Sequence, residues 1–201
     1  MKFELLGWPP SGPTLRLDYR TFSYAGKFVM TSTGKAVIRG DTDIEGATNA
    51  EADVEEFPDS VDPSAFEDDV LAAVAFNEDR TDPGTLWLRY VTVHADYRGR
   101  GLGPRLLGFV AGRAELRGYE WCRIAVNNPF AYEAAYRAGF AYIGRRTGIA
   151  ELVLERPGSP DPGTYENGLR QFLDRKLSVA EREFLDRKLD SEPPETIDPP
   201  S

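Results

Sequence analysis

Residues 97–104, with the sequence YRGRGLGP, join a strand-like run to a helix-like run through a glycine-rich turn. The run before the turn, residues 86–93, is rich in β-branched and aromatic residues, and residues 104–116 carry apolar side chains at helical spacing. The glycines allow main-chain N–H groups to converge on a ligand, and the start of a helix adds unpaired N–H donors and a partial positive charge. The pattern therefore predicts a cradle for a diphosphate, with Pro104 at the first helical position.

The spacing of this turn differs from two other phosphate-binding motifs. A dinucleotide fingerprint needs G-x-G-x-x-G, whereas the glycines here follow G-x-G-x-G with Arg98 in front of them. A nucleotide-triphosphate loop needs G-x-x-x-x-G-K-[ST], which the sequence lacks. The remaining alternative is a tight strand-to-helix turn that binds nothing.

Two motifs in this order resemble the GNAT N-acetyltransferase superfamily. Arg98-x-x-Gly101-x-Gly103, after a strand that ends at Val93, is similar to the acetyl-CoA signature of that family. Residues 122–126 read as the next strand, and residues 128–140 resemble the Asn, the helix and the Gly-Phe ending that follow it there. The resemblance covers residues 68–156 well, residues 1–67 weakly and the rest not at all.

The resemblance implies a fold, a cosubstrate and a binding site. The fold would be α/β (α+β), a GNAT-like mixed, mostly antiparallel sheet flanked by helices, with acetyl-CoA as the cosubstrate. An acetyl-CoA-binding domain would span residues 1–157, and residues 158–201 would form a linker, two short amphipathic helices and a disordered tail. Three parts of the site are implied: a strand end that pairs with the pantetheine arm and polarises the carbonyl, a turn that holds the pyrophosphate, and a helix start that contacts the cofactor arm. The cofactor-binding residues are then Val91, Thr92, Val93, Arg98, Gly99, Arg100, Gly101, Leu102, Gly103, Asn128 and Ala131. Of the two arginines, Arg100 is the one expected to contact phosphate, and Arg98 is expected to shape the turn.

The catalytic residues are less well marked. In many relatives a tyrosine seven residues after the Asn protonates the leaving thiolate, but this position is Ala135 here. We predict Tyr136 as the general acid, although it lies about 100° round the helix from residue 135. The alternative is that Tyr132 and Tyr136 form a core-facing pair at i, i+4 spacing.

The general base stays open at this point. In relatives that acetylate protein N-termini a glutamate often stands five residues before the Asn, and Arg123 occupies this position here. Glu78, Asp79 and a water relay are all open candidates.

These motifs predict an acetyl-CoA-dependent N-acetyltransferase that acts on a primary amine of a small molecule or peptide by direct attack in a ternary complex. The alternative is a catalytically inactive CoA-binding module that acts through its C-terminal helices. A third interpretation is acyl transfer with a longer acyl chain or to a hydroxyl. Dimerisation through the C-terminal helices is a further expectation, so the chain could be a homodimer.

Composition and charge exclude several function classes. The net charge of −9 disfavours nucleic acid as a partner, because phosphate neutralisation requires a basic face. An acidic surface could attract cationic amines. Alternatively, abundant acidic residues with few lysines reflect adaptation to high salt, which would make this a haloarchaeal-type member.

One histidine and one cysteine leave little for a metal site, so none is expected, and Cys122 inside an apolar strand predicts a buried, inert thiol. The sequence has neither an apolar membrane span nor a signal-peptide core, so we expect a cytoplasmic protein without membrane contact.

The remaining elements are predicted from periodicity and turn residues. An aromatic stretch at 22–30 is compatible with helix or strand, and the acidic stretch 41–69 predicts a solvated loop that acts as a lid or is disordered. Strands are predicted at 14–19, 35–39, 70–76, 86–93, 121–126, 140–145 and 149–155, and helices at 104–117 and 129–138.

A repeat marks the C-terminal part of the chain. The sequence FLDRKL at 172–177 recurs at 184–189, and Ser178 to Glu181 between the copies is a capping-box start. Two amphipathic helices are predicted, with one apolar face that packs on the same domain or on a second copy. Its members are Tyr165, Leu169, Phe172, Leu173 and Leu177.

Overall fold

A computed structural model describes residues 1–40, 65–158 and 161–198. Within these residues, seven strands form one sheet, and four α-helices flank it. The strands are β1 (Lys2–Gly7), β2 (Gly34–Arg39), β3 (Val70–Glu78), β4 (Thr85–Val93), β5 (Trp121–Val126), β6 (Ala141–Arg146) and β7 (Leu152–Arg156). The helices are α1 (Leu102–Glu115), α2 (Pro129–Arg137), α3 (Pro162–Arg170) and α4 (Val179–Leu189). Most of the acidic stretch predicted as a loop, residues 41–64, lies outside the described residues.

The strand order is β1-β2-β3-β4-β5-β7-β6. β4 and β5 run parallel because α1 connects them as a crossover, and the other neighbouring pairs are antiparallel. The predicted antiparallel pairing of β3 with β4 is correct. This architecture confirms the predicted mixed, mostly antiparallel sheet flanked by helices.

Apolar side chains on the two faces of the sheet form two separate cores. The larger core packs the sheet against α1 and α2, and Leu106 and Val110 of α1 are fully buried in it. The smaller core lies on the opposite face, where Leu15, Leu17 and Phe28 cover the middle strands. The helices and the N-terminal coil therefore cover opposite sides of the central strands.

The first strand is not where the periodicity placed it. The predicted strand at 14–19 is wrong, since this segment is irregular and β1 comes from Lys2–Gly7. Leu15 and Leu17 give the alternating pattern of a strand because both side chains point into the smaller core, with residue 16 between them. An extended coil can bury alternate side chains in this way without strand partners. The aromatic stretch 22–30 forms turns and a short 3-10 helix at Ala25–Lys27.

The C-terminal helices pack on the rest of the chain. Tyr165, Leu169, Phe172 and Leu185 are all buried in the larger core. The capping box predicted at Ser178 is confirmed at the start of α4.

The region forms two short helices, α3 and α4, as predicted, but the two copies of FLDRKL differ in structure. The first copy follows the end of α3 in turns, and the second lies within α4. Phe172 is buried and Leu173 is 37% exposed, because the helix has already ended at Arg170 and no longer sets which side chains share a face. The tail at 192–198 is irregular, and Ile197 N–H donates to Arg137 O at 2.7 Å.

Candidate functional site

β4 separates from β5 partway along its length. Their register runs from Thr85 opposite Trp121 to Leu88 opposite Ile124, and β4 continues beyond this point to Val93. On its other side, the register with β3 shifts so that Arg89 is an extra residue. A β-bulge bends a strand and increases its twist. The bulge therefore coincides with the start of a gap between the two parallel strands.

The main chain of β4 directs hydrogen-bonding groups into this gap. His94 N–H donates to Leu71 O of the neighbouring chain segment at 2.9 Å. Because successive residues of a strand direct N–H and C=O to opposite edges, Thr92 also bonds toward β3, whereas Val91 and Val93 face the gap. Arg98 Nε lies 3.4 Å from Val93 O, which agrees with that direction. Of the three predicted residues, Val91 and Val93 thus offer main-chain groups, and the main chain of Thr92 belongs to the sheet.

The bulge also reverses which face the side chains of β4 occupy. Leu88 before the bulge and Val91 and Val93 after it pack on the helix side. Tyr90 and Thr92 lie on the opposite face, where Tyr90 packs against the smaller core. Thr92 is 4% exposed, and its Oγ1 has no hydrogen-bond partner among the described residues. A buried hydroxyl without a partner therefore stands beside the gap.

The predicted cradle joins β4 to α1. Gly99 and Gly101 have φ of 76° and 74°, the left-handed region that glycine adopts without strain. A Cβ added at either would have no described atom within 4 Å. Gly103 is helical and buried, and an added Cβ there would make ordinary contacts with Val93 at 3.8 Å and Ala134 at 3.9 Å. Positive φ thus requires glycine at the first two positions only.

The N-terminus of α1 presents unpaired donors. The helix begins at Leu102, two residues before the predicted start, and Gly101 at the N-cap has no side chain to cap it. The first helical hydrogen bond runs from Arg105 N to Gly101 O at 3.4 Å. The N–H groups of Leu102 and Gly103 precede that bond, and Pro104 has no N–H. Together with the positive end of the helix dipole, they form a site suited to an anion.

The arginines of the turn have different contacts. Arg98 reaches Val93 O, as above, and donates to Ser23 Oγ at 3.2 Å, so it ties the turn to the end of β4 and to the N-terminal coil. Arg100 is exposed, with its guanidinium 5.1 Å from the centre of the Tyr97 ring. These positions agree with the expectation that Arg98 shapes the turn, and they leave Arg100 accessible to a ligand.

Asn128 and Ala131 contact each other. Asn128 is the N-cap of α2, and its Oδ1 accepts a hydrogen bond from Ala131 N–H at 2.8 Å. This cap occupies the main-chain donor of Ala131. A contact of these residues with a cofactor arm stays a prediction, and the Ala131 N–H is not available for it.

The two tyrosines of α2 lie toward α3. Tyr132 donates to Thr164 O and Tyr165 O at 3.2 and 3.1 Å, and the ring centroid of Tyr136 lies 4.5 Å from that of Tyr165. Burial raises the pKa of both phenols. The helix face that meets α1 carries Ala134, which neighbours Gly103. This placement favours the packing role for both tyrosines, and Tyr136 as the general acid stays a prediction.

The open candidates for a base lie at the other end of β4. Glu78 pairs with Leu86, seven residues before Val93, which is about 20 Å along a strand. Asp79 accepts hydrogen bonds from Trp87 Nε1 at 2.6 Å and from Thr81 at 2.8 Å. The bonds from Thr81 and Trp87 hold the pKa of Asp79 far below its usual value, which makes it a weak base. Neither carboxylate stands near the cradle.

Two other residues named in the sequence analysis, Arg123 and Cys122, and the single histidine, His94, have structural surroundings. Arg123 pairs with Glu155 at 2.6 Å and with Asp82 at 3.4 Å. His94 Nδ1 accepts from Asp96 N–H at 3.3 Å and caps a 3-10 turn. Burial raises the pKa of the Cys122 thiol to about 12, which confirms the prediction of a buried, inert thiol. Within the described ranges, no group of three or more His, Cys, Asp or Glu side chains could hold a metal ion, and no helix is long and apolar enough to cross a bilayer.

The bulge is the functional feature that the sequence prediction missed. A signal for it was present, because Leu86, Leu88, Val91 and Val93 break strict alternation between residues 88 and 91. A phase change of this kind in an otherwise alternating strand indicates an extra residue.

Several solved structures are similar to this chain, whereas no curated protein sequence matches it. An N-acetyltransferase from Staphylococcus aureus Mu50 has 16% identity and a TM-score of 0.43, over 61% of this chain and 66% of that one. PaiA N-acetyltransferase from Thermoplasma acidophilum, in complex with coenzyme A, has 18% identity and a TM-score of 0.38, over 45% and 55%. Nourseothricin acetyltransferase has 15% identity and a TM-score of 0.45, over 77% and 96%. The chain thus spans less than two thirds of the length of the first two.

A family model described as "Acetyltransferase (GNAT) family" matches residues 40–140, which is half of the chain. This span contains β3, β4, the glycine turn, α1, β5 and α2, and so both motifs on which the resemblance depends. The match confirms the resemblance. The chain belongs to the GNAT family of acetyltransferases.

Proposed function

We propose that this protein is an acetyl-CoA-dependent N-acetyltransferase that acetylates a primary amine of a small molecule or peptide by direct attack in a ternary complex. The observation that carries the proposal is the gap between β4 and β5, which opens beside the uncapped N-terminus of α1. An elongated ligand with an anionic centre fits this pair of features.

The residues present fit coenzyme A. The N–H groups of Gly99, Gly101, Leu102 and Gly103 would hold the diphosphate, and exposed Arg100 would add a positive charge. The main chain of Val91 and Val93 offers alternating donors and acceptors to an amide-containing arm, as a neighbouring strand would. Of the main-chain N–H groups that face the gap, the one nearest the reacting carbonyl would polarise that carbonyl. Each of these groups is a main-chain atom or an arginine side chain, and of these Val93 O already accepts a hydrogen bond from Arg98 Nε.

The acceptor amine would approach from the opposite face of the sheet. Tyr24 and Tyr90 lie there with ring centroids 6.1 Å apart, and Lys27 Nζ is 5.7 Å from the Tyr90 ring centre. The position of Lys27 supports the view that this ring can receive a cation. The unpartnered Thr92 Oγ1 lies on the same face and would be a hydrogen-bond partner for a ligand in the gap.

The leaving group of this reaction requires little general-acid catalysis from the protein. The thioester supplies an activated acyl group and a leaving thiolate whose conjugate acid has a pKa near that of cysteine, about 8.5. Such a thiolate leaves without a strong acid, so Ala135 in place of a tyrosine is compatible with activity. Tyr136 keeps its proton at neutral pH because the ordinary pKa of a phenol is about 10 and burial raises it further, and we retain it as the candidate acid.

The alternative is a catalytically inactive CoA-binding module that acts through its C-terminal helices. Ala135 and the Arg123–Glu155 ion pair favour it, since neither position offers an acid or a base. Against it, Leu169, Phe172 and Leu185 are buried on the same chain, which leaves a smaller apolar face for another protein.

An acceptor screen with detection of free thiol separates the two functions. Purified protein is incubated with acetyl-CoA and a panel of polyamines, aminoglycosides, amino acids and peptides, at low and at molar salt. We expect thiol release that depends on the amine, with Gly101→Glu as the inactive control. Calorimetric binding of acetyl-CoA without thiol release across the panel would establish the alternative, and absence of binding would exclude both.

The finer predictions from composition are proposals of the same kind. We propose a haloarchaeal-type enzyme that is most stable at high salt, where screening reduces the self-repulsion of a chain with net charge −9. A cytoplasmic location and a homodimer stay predictions.

A further inference from the structure

An exposed aromatic and cationic patch joins α2 to α4. Phe130 of α2 is 45% exposed, and its ring centroid lies 4.6 Å from that of Phe184 of α4. The guanidinium of exposed Arg187 lies 5.5 Å from the centre of the Phe184 ring. A salt bridge of 2.7 Å between Lys188 and Glu133 holds the two helices together one turn further on. We call Phe130, Phe184 and Arg187 the α2–α4 patch.

Helical geometry places Phe130 between α4 and the start of α1. At 100° per residue, Ala134 lies about 40° round α2 from Phe130, and Glu133 lies about 60° round in the opposite direction. Ala134 neighbours Gly103 at the start of α1, and Glu133 pairs with Lys188 of α4. Phe130 therefore lies at the groove between the two helices, about one turn of α2, or about 6 Å, from the residue that neighbours Gly103.

Arg187 faces the same groove. Leu189 of α4 lines a small cavity with Tyr165 and Leu169 of α3, and Arg187 stands about 160° round the helix from Leu189. On α2, Phe130 stands about 160° round from Tyr132, whose hydroxyl bonds to the main chain of α3. Both members of the patch thus point away from α3, and the contact of Phe184 with Phe130 brings Arg187 to the same side of α2.

We propose that the α2–α4 patch binds the adenosine 3′-phosphate end of coenzyme A, an inference that rests on the proposed function. The diphosphate divides the molecule into a pantetheine arm and a nucleotide. With the arm in the gap between β4 and β5, the nucleotide leaves the cradle on the side of the α1–α2 groove. The flat rings of Phe130 and Phe184 suit stacking on adenine, and Arg187 suits the phosphate monoester. The C-terminal helices would then complete the cofactor site, in addition to packing on the domain.

Calorimetry with coenzyme A, dephospho-coenzyme A and 4′-phosphopantetheine tests this assignment. Dephospho-coenzyme A lacks the 3′-phosphate, and phosphopantetheine lacks the whole nucleotide. Arg187→Ala should weaken binding of coenzyme A about tenfold and leave dephospho-coenzyme A unchanged, since one charge-assisted hydrogen bond is lost. Phe184→Leu keeps apolar contact with Phe130. It should lower the affinities for coenzyme A and dephospho-coenzyme A about fivefold and leave the affinity for phosphopantetheine unchanged.

Arg113→Ala is the matched control, because Arg113 is an exposed arginine 5.1 Å from the ring centre of Phe109 on α1. It should change none of the three affinities, and circular dichroism should show that all variants fold. If Arg187→Ala leaves the ratio of the coenzyme A and dephospho-coenzyme A affinities unchanged, this inference is wrong and the proposed function survives. If the unaltered protein binds none of the three ligands, both are wrong.

Discussion

Replacing Gly101 with glutamate should abolish coenzyme A binding and leave the fold intact. Gly101 has φ of 74° at the N-cap of α1, and a Cβ there would have no described atom within 4 Å. The folding cost is therefore that of a non-glycine residue in the left-handed region, about 1–2 kcal/mol. A carboxylate at a helix N-terminus recovers about 0.5 kcal/mol of this. For a chain of this size we expect a fall in Tm of about 1–6 °C.

The effect on binding should be much larger than the effect on folding. The glutamate carboxylate would lie among the N–H groups of Leu102 and Gly103, where it takes their hydrogen bonds and repels a diphosphate. Loss of two charge-assisted hydrogen bonds amounts to about 3–6 kcal/mol, which is a decrease in affinity of about 100-fold or more. Isothermal titration of the variant with coenzyme A measures this decrease, and a thermal melt of the same sample measures the folding cost.

Gly118→Glu provides a matched control on the same segment. Gly118 follows the other end of α1, has φ of 86°, and likewise has no described atom within 4 Å of an added Cβ. The strain and the added charge are the same, so its thermal stability should fall slightly more, because a carboxylate near a helix C-terminus is unfavourable. Its affinity for coenzyme A should not change. Retained affinity in Gly101→Glu, or an equal loss in Gly118→Glu, would refute the assignment of the cradle.

Three further changes test the roles of single residues. If the Tyr136 hydroxyl is the acid, Tyr136→Phe should lower kcat about tenfold or more and leave the KM for acetyl-CoA unchanged. Tyr132→Phe should affect stability only. An unchanged kcat in both variants would assign both rings to packing. Gly168→Ala should destabilise the protein by about 2 kcal/mol or more because the added Cβ would overlap the Tyr132 phenol. Gly112→Ala should stabilise it by about 1 kcal/mol because the space around Gly112 is open. Thermal melts that show equal effects of the two variants would contradict this. Lys35 is fully buried and donates to Met30 O and Thr33 O at 2.5 and 3.2 Å, and burial lowers its pKa from 10.5. As pH approaches 10.5, the unfolded state then binds more protons than the folded state, so the free energy of unfolding should rise with pH in this window. Denaturant unfolding at a series of pH values measures this rise, which should be absent in Lys35→Met.

Much of the central fold could be predicted because its signals are local. Turn residues at Asp82 to Gly84 fix the β3–β4 hairpin, and a side-chain cap at Asn128 followed by Pro129 fixes the start of α2. The glycine turn is likewise a local pattern, since positive φ at two residues requires glycine there whatever the rest of the chain does. At the N-terminus the same rules failed, because Leu15 and Leu17 alternate as a strand does and yet cover a sheet face as coil.

The sequence by itself determined that a strand leads into a helix through a glycine-rich turn, and this local pattern predicts an anion cradle. Only the tertiary structure decided what surrounds the cradle. The gap depends on where β4 leaves β5, the direction of Tyr136 depends on how α3 packs on α2, and the α2–α4 patch depends on the docking of α4. The second copy of FLDRKL became helix and the first did not, although their letters are the same. Long-range packing makes that difference, because apolar side chains are buried wherever a neighbouring surface is available and the local sequence does not specify that surface.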